Sequence, residues 1–480
     1  MASIKFGTDG WRAVMAREFT FDNVALVAQA IADYMIEAGI ASRGLMVGYD
    51  ARFLSEDFAQ LVADVATASG IRTLVPDRDT PTPVTAYTVR DQNLGGAVMI
   101  SASHNPPIYN GIKFIPEYCH PALPDVTNAI EKHIARLQDN PQMVNREGNP
   151  GLQVSYDPKP AYFSHLKTIL DIDMISKAGL QLWYDPLYAS GREYLDEFLR
   201  DIGVDVKVIK GERNPLFGGS LPDPNAYNLR ELSAKVVESG AQLGLSTDGD
   251  ADRFGIVDRD GVYLSANETI VLALWHLLKT RKPEGKAVVR SVVTTHQVDA
   301  IAKAYGYEVI ETPVGFKYVG QAILQNDAIL GGEESGGLTI FGHIPEKDGI
   351  VADLAVVEAV AKTGLSCRQM LNEIAEIYGA YYTKRIDLQV QDEAKSILLE
   401  KLKNDPPKYL GREIVSEVKT VDGVQLIRPD GAWTCVRPSG TEPIVRCYAE
   451  ARSETDLQEI LNVITQIIQE VDPTAHTQQH

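Results

Sequence analysis

The run Asp248-Gly249-Asp250-Ala251-Asp252-Arg253 places three carboxylates at alternate positions. In an extended loop that spacing turns them toward one point, where their repulsion is tolerable around a cation; an all-oxygen donor set suits a hard divalent ion such as Mg²⁺. A calcium loop of the EF-hand type does not fit, because its sixth position would be Arg253 instead of glycine and its twelfth Arg259 instead of glutamate. A solvated acidic turn is the plain alternative, and the apolar stretch Leu243 to Leu245 before the loop argues against it. A second polar loop, "SASHNP" (Ser101 to Pro106), follows the apolar run Ala97 to Ile100. Neighbouring serine and histidine do not make a triad, whose base comes from a different element. Alone this loop reads as a polar turn. Beside a three-carboxylate metal loop it reads as a phosphate carrier, since a phosphoserine supplies oxygens that complete a cation's shell.

"RPSGTEP", Arg437 to Pro443, joins a guanidinium to two hydroxyls and a glycine, chemistry suited to a phosphate dianion, with an ordinary Ser-Gly turn as the alternative. "GGEESGG" offers Glu333, Glu334 and Ser335 between glycines, suited to vicinal sugar hydroxyls or simply to a flexible loop. No Walker P-loop and no GxGxxG after a strand occurs, which demotes nucleotide-driven phosphoryl transfer and dinucleotide chemistry. A haloacid-dehalogenase-like phosphatase needs DxDx[TV], and neither register of the aspartates provides it.

The elements around these loops repeat. Gly44, Leu45, Tyr49 and Asp50 recur at identical spacing as Gly179, Leu180, Tyr184 and Asp185. Glycine-led β-branched runs follow at Gly70-Ile71 and Gly203-Val204, with a third candidate at Gly306-Tyr307. Each leads to a strand ending in one of the loops "SASHNP", "STDGDADR" and "GGEESGG", which points to three related α/β units. Residues 20 to 37 carry a helical apolar pattern with Thr20 or Asp22 as cap and Gly39 as stop. Asp260-Gly261 reads as a hairpin turn. From about Asp387 the pattern is strand-like with one C-terminal helix through Leu457, Ile460, Leu461, Ile464 and Ile467, a smaller α+β domain, and the tail "PTAHTQQH" reads as disordered.

A chain of 480 residues suits three or four domains at roughly 150 residues each. The domains expected are 1–145, 150–256, 257–378 and 385–475. No apolar run of 18 residues or more is present, so no membrane partner is expected, and the N-terminus lacks the basic-then-apolar order of an export signal. Cys119, Cys367, Cys435 and Cys447 form no CxxC pair and read as reduced thiols of a cytoplasmic protein. A formal net charge of -19 argues against nucleic acid as partner.

The ordered set "FGTDGWR", "SASHNPPIYNGIKF", "STDGDADR", "ETPVGFK", "GGEESGG", "HIPEKDG" and "RPSGTEP" resembles the α-D-phosphohexomutase superfamily, the phosphoglucomutases and phosphomannomutases, over essentially the whole chain. The resemblance implies an α/β fold of three related domains with mixed sheets plus a C-terminal α+β domain, heart-shaped around a central cleft. It implies a phosphoserine at Ser103, which with Asp248, Asp250 and Asp252 binds Mg²⁺. It assigns His104, Lys113, Arg253 and Lys347 to the catalytic neighbourhood. For the hexose phosphate substrate it assigns Arg12, Thr312, Gly315, Lys317, Glu333, Ser335, His343, Arg437, Ser439, Gly440 and Thr441. "HIPEKDG" is closer to the phosphoglucomutase branch, and Gly337 stands where phosphomannomutase-like and glucosamine-type members often carry histidine. The implied activity interconverts glucose 1-phosphate and glucose 6-phosphate, with mannose phosphates as further substrates and a hexose 1,6-bisphosphate as intermediate and activator. A glucose-1,6-bisphosphate synthase and a non-catalytic sugar-phosphate binding protein are the competing readings.

Overall fold

The computed structural model describes residues 4–7, 9–439 and 442–477. The chain divides into two compact units, Met1–Val288 with Gly315–Arg368, and Val289–Val314 with Gln369–His480.

In the first unit, β1 (Trp11–Val14), β2 (Leu45–Tyr49), β3 (Thr73–Val75), β4 (Gly96–Ile100), β5 (Tyr109–Pro116) and β6 (Gln153–Ser155) form one mixed sheet in the order β1-β5-β4-β2-β3-β6. Strands β2 and β4 are parallel and buried along their whole length, which explains their unbroken apolar character; β4 then turns back into antiparallel β5. Helix Phe21–Glu37 starts at Thr20, whose hydroxyl accepts from Asn23 N–H, and buries Val24, Val27, Ala28, Ile31 and Met35 as its spacing predicts.

A second sheet repeats this grammar. β7 (Gln181–Asp185), β8 (Asp205–Val208), β9 (Leu243–Thr247), β10 (Phe254–Asp258) and β11 (Tyr263–Leu264) are ordered β11-β10-β9-β7-β8. Here β7 and β9 are parallel and β9 turns back into β10. The matched segments at Gly44 and Gly179 are therefore the equivalent strands β2 and β7, and the aspartate at each strand end accepts the N–H two residues on: Arg52 N to Asp50 Oδ1, 3.0 Å, and Leu187 N to Asp185 Oδ1, 2.9 Å. The hairpin expected at Asp260-Gly261 joins β10 to β11. After β12 (Ala287–Ser291) and β13 (Glu308–Thr312), the third antiparallel hairpin is β14 (Ala328–Glu333) with β15 (Gly337–Ile340). Each hairpin presents one chemistry-bearing loop between its strands. Helix Gly349–Thr363 is capped by Asp348, whose carboxylate accepts Val351 N–H at 3.0 Å.

The C-terminal part of the second unit is α+β, as expected. Its sheet contains β16 (Tyr382–Gln389); beyond the small hairpin of β17 (Tyr409–Leu410) and β18 (Glu413–Ile414) come β19 (Glu417–Lys419), β20 (Val424–Ile427), β21 (Trp433–Pro438), β22 (Ile444–Ala451) and β23 (His476–Thr477). The order is β19-β20-β21-β22-β16-β23. Helix Glu454–Val471, capped by Ser453, buries Leu457, Ile460, Leu461, Ile464 and Ile467. One expectation is corrected: the tail is not structureless at 476–477, which pair with Leu388 and Gln389 because β16 offers an open edge there. No helix among the described residues is long and apolar enough to cross a membrane.

Candidate active site

The β4–β5 and β9–β10 loops meet inside the first unit. Ser103, 1 % exposed and held at φ 49°, donates from Oγ to Asp248 Oδ2 at 2.8 Å across 145 residues of sequence. Its N–H donates to Ser101 Oγ at 2.8 Å. The two loops touch through backbone: a Cβ built on Gly249 would lie 2.3 Å from Ser103 O, so only glycine permits this approach. On the far side of the serine loop sits Arg52, fully buried, which donates to the carbonyls of Ser103 (2.6 Å), Asn105 (2.7 Å), Pro106 (2.9 Å) and Tyr109 (3.0 Å) and to Asp50 Oδ2 (3.1 Å).

Asp248, Asp250 and Asp252 are all buried and offer ligand oxygens within 4.8 Å of one another. Asp250 Oδ2 accepts from Thr82 Oγ1 (2.5 Å) and Lys113 Nζ (2.8 Å); Asp252 Oδ2 accepts from Lys347 (3.0 Å) and Lys113 (3.3 Å). Oδ1 of Asp250 and of Asp252 is buried without a hydrogen-bond partner among the described residues. Burial, with Asp252 and Asp250 beside it, drives the Asp248 carboxyl well above its ordinary range. Burial also acts to raise Asp250, but Lys113, Thr82 and Lys347 together outweigh it and hold that carboxylate low. Two orphaned carboxylate oxygens and a third carboxyl strained by its neighbours fit a hard divalent cation, and the donor set is oxygen alone. Asp248, Asp250 and Asp252 are the residues that would hold Mg²⁺, with Ser103 as the fourth oxygen source.

Positive charge surrounds the triad. Burial works against the Lys113 ammonium, but Asp250, Asp9 and Asp252 overcome it and raise its pKa; Asp9 Oδ2 lies 2.9 Å from Nζ. Lys347 is likewise driven well up against burial by Asp252, Asp9 and Glu346. Arg12 donates to Asn105 Oδ1 at 3.1 Å and to Asp9 Oδ2 at 3.2 Å, so it bridges β1 and the serine loop. Arg253 N donates to Asp248 Oδ1 at 3.0 Å, and its half-buried guanidinium is kept charged, against the cost of desolvation, by Asp252 and Asp248. That guanidinium, together with burial and Arg12, lowers the His104 imidazole well below its usual value, so the ring is neutral where Nδ1 lies 3.2 Å from Ser103 Oγ.

The third hairpin loop is internally ordered. Glu333 Oε1 accepts from Ser335 Oγ at 2.7 Å and Oε2 from Gly315 N–H at 3.2 Å, which joins the "GGEESGG" and "ETPVGFK" motifs. Burial lowers the Lys317 ammonium, with Asp9 as its opposing charge. His343 is not brought to this cluster. Its Nε2 bonds Asp348 Oδ2 at 2.8 Å, its Nδ1 meets His165 Nε2 at 2.9 Å, and its side chain is wholly buried, so the ring supports the cap of helix Gly349–Thr363 instead of facing a substrate. Thr312, Arg437 and Ser439 belong to the second unit. There Thr312 Oγ1 donates to Pro313 O at 3.0 Å, Arg437 pairs with Asp422 at 2.9 Å, and Ser439 Oγ accepts Glu442 N–H at 3.2 Å. Gly440 and Thr441 lie outside the described residues.

Sequence reasoning passed over Arg52, Thr82, Asp9 and Glu346. Asp9 and Glu346 sit inside quoted motifs, and Arg52 follows the repeated aspartate by two positions, so each had a local signal; Thr82 had none, because its partner Asp250 is 168 residues away.

Models of the phosphoglucomutase/phosphomannomutase domains match the chain in order: α/β/α domain I at residues 3–141, domain II at 160–261, domain III at 265–378 and the C-terminal domain at 373–467. A solved structure described as a candidate phosphomannomutase from Thermus thermophilus is 31% identical, with a TM-score of 0.82 over 98% of this chain and 99% of that one. A phosphoglucomutase/phosphomannomutase of Thermococcus kodakarensis is 29% identical over 97% of this chain and 98% of its own length. A phosphoglucosamine mutase of Acetivibrio thermocellus is 28% identical over 97% and 98%.

Proposed function

The chain belongs to the phosphoglucomutase/phosphomannomutase family, and from that premise we propose that it interconverts glucose 1-phosphate and glucose 6-phosphate, with mannose phosphates as further substrates, through a phosphorylated Ser103. The observation that carries this reading is the 2.8 Å bond from Ser103 Oγ to Asp248, which sets a buried hydroxyl on the edge of a three-carboxylate cluster.

The reaction takes two transfers. In the first, a free hydroxyl oxygen of the hexose phosphate bonds to the phosphorus as the P–O bond to Ser103 Oγ breaks, and the hydroxyl's proton is passed on so that Ser103 leaves as a hydroxyl; a hexose 1,6-bisphosphate results. In the second, the bisphosphate presents its other phosphate, Ser103 Oγ bonds to that phosphorus as the P–O bond to the sugar breaks, and the serine proton is returned to the sugar oxygen, which leaves as the hydroxyl of the product. Mg²⁺, if held by Asp248, Asp250 and Asp252, would supply Lewis-acid neutralisation of phosphoryl oxygens. The rest falls to the chain's own side chains. Arg52 fixes Ser103 through its carbonyl, and His104 contacts Oγ through Nδ1. Lys113 and Arg253 offset the charge on the transferring group, while Lys347 holds a proton at Nζ beside it. Glu333 and Ser335, with Gly315 bonded to Glu333 and Lys317 two residues further along the chain, read sugar hydroxyls. Arg437 and Ser439, with Gly440 and Thr441, carry the phosphate-cradling chemistry of the second unit, and Arg12 orders the serine loop through Asn105.

The test is a coupled assay with glucose, mannose and glucosamine 1-phosphates, each with and without added glucose 1,6-bisphosphate and Mg²⁺. Turnover fastest on glucose 1-phosphate, stimulated by the bisphosphate and lost with Ser103→Ala, is expected, together with an added mass of about 80 Da on the wild-type protein that the variant lacks. Preference for the amino sugar would overturn the substrate assignment, net accumulation of bisphosphate would overturn the mutase assignment, and activity surviving in Ser103→Ala would overturn the phosphoserine.

A further inference from the structure

Arg437 is the penultimate residue of strand β21, and its setting within the second unit is more specific than a surface ion pair. Nη2 lies 2.9 Å from Asp422 Oδ2, and the same oxygen accepts Val314 N–H at 2.9 Å. One carboxylate oxygen thus joins the arginine of "RPSGTEP" to the stretch Thr312-Pro313-Val314, and Val314 itself packs on the cluster of Val292, Val293, Trp433, Cys435 and Tyr448. The next residue, Gly423, has φ 76°, and a Cβ on it would lie 2.3 Å from Val436 O and 2.7 Å from Arg437 Cγ. Asp422-Gly423 therefore grips Arg437 twice: the glycine lets the turn close on the aliphatic stem, and the carboxylate fixes the head. Arg437 Nε is buried with no hydrogen-bond partner among the described residues, a charged donor left for an acceptor from outside the chain. An anion beside a phosphate site repels its ligand, so binding charge does not account for the aspartate.

We propose that Asp422 is a positioning residue, one that orients the Arg437 guanidinium with its Nε edge toward the non-reacting phosphate of a hexose phosphate and ties that orientation to the Val314 turn. The proposal rests on the phosphate-binding reading of Arg437 given above. A preorganised fork loses less freedom when its ligand arrives, so the aspartate acts on substrate affinity through the arginine.

A double-mutant cycle on the full-length protein separates the two layers. Steady-state kinetics with hexose 1-phosphate are compared for wild type, Asp422→Ala, Arg437→Met and the double variant, with the thermal midpoint of each recorded. Asp422→Ala raises KM by about tenfold with kcat within about twofold, and the double variant is no worse than Arg437→Met alone, because the aspartate then has nothing to orient. Asp422→Asn, isosteric and still able to accept Val314 N–H, gives a smaller rise, and it carries the same test if the alanine variant does not fold. A KM effect of Asp422→Ala that persists at full size in the Arg437→Met background overturns the proposal. So does an unchanged KM in both aspartate variants when Arg437→Met itself raises KM. An unchanged KM in Arg437→Met overturns the phosphate reading of the loop, and the positioning role with it.

Discussion

Arg52 has all five guanidinium donors engaged, by one carboxylate and four carbonyls, while its face lies over the Phe217 ring at 5.1 Å. A fully buried cation is tolerable only with such complete pairing. Its partners are the carbonyls of the loop that holds Ser103 at φ 49°, so the arginine fixes a backbone conformation that serine does not adopt unaided. Lysine at this position keeps the charge but has three donors on a point, not a planar fork. Arg52→Lys is expected to lower kcat by about 100-fold, with a smaller change in KM, and to cost about 3 kcal/mol of stability measured by urea unfolding. Unchanged kcat would show that the serine loop holds itself. The sequence around Ser103 could not reveal this, because the carbonyls that Arg52 binds carry no side-chain signature. His343 failed for the related reason that motif membership does not fix direction: four residues from Lys347, it points to Asp348 and His165 while Lys347 reaches Asp252.

The repeated element is a parallel strand pair followed by an antiparallel return strand, and its loop is where each motif sits. This much was legible, since matched glycines and aspartates at β2 and β7, apolar runs and turn residues are all local signals. How closely the loops meet was not, because contact between two backbones leaves no periodicity. Gly249 marks that contact. Gly249→Ala places a methyl 2.3 Å from Ser103 O and 3.2 Å from Pro222 Cγ, while Gly249 N is already tied to Pro222 O at 3.0 Å. Neither neighbour can yield cheaply, so the serine and metal loops must separate. The expected result is a loss of roughly 1–3 kcal/mol in stability and at least tenfold in kcat, with weaker Mg²⁺ activation, read by unfolding and by metal titration of the rate. A variant with normal activity would mean that the Ser103–Asp248 spacing does not matter to the reaction.

On the scale of the whole chain, length and composition predicted an acidic multidomain protein without saying which segments hold together, and Val289–Val314 joins the C-terminal residues in one unit. Glu450 is central to that grouping. On β22 and 1% exposed, it accepts from Trp433 Nε1 at 2.9 Å and from His296 N–H at 3.1 and 3.2 Å, so it binds the start of the 297–304 helix to the sheet. Burial pushes its carboxyl up to about 7, despite the hydrogen bonds that favour the anion. The folded state therefore holds a proton that the unfolded chain releases near pH 4.5. Between those values the native state binds more protons, and stability from this group falls as pH rises, fully present below about 4.5 and lost through about 7. Glu450→Gln keeps an acceptor for His296 N–H and Trp433 but cannot ionise. Thermal or urea unfolding of both proteins at intervals from pH 4.5 to 8 should show the wild type losing ground to the variant by up to about 3 kcal/mol, with the difference level above pH 8. A difference that is flat across this range would mean that Glu450 is already ionised in the native fold. Trp433 and His296 would then be donors to a carboxylate, and the link between residues 289–314 and the C-terminal sheet would be insensitive to pH.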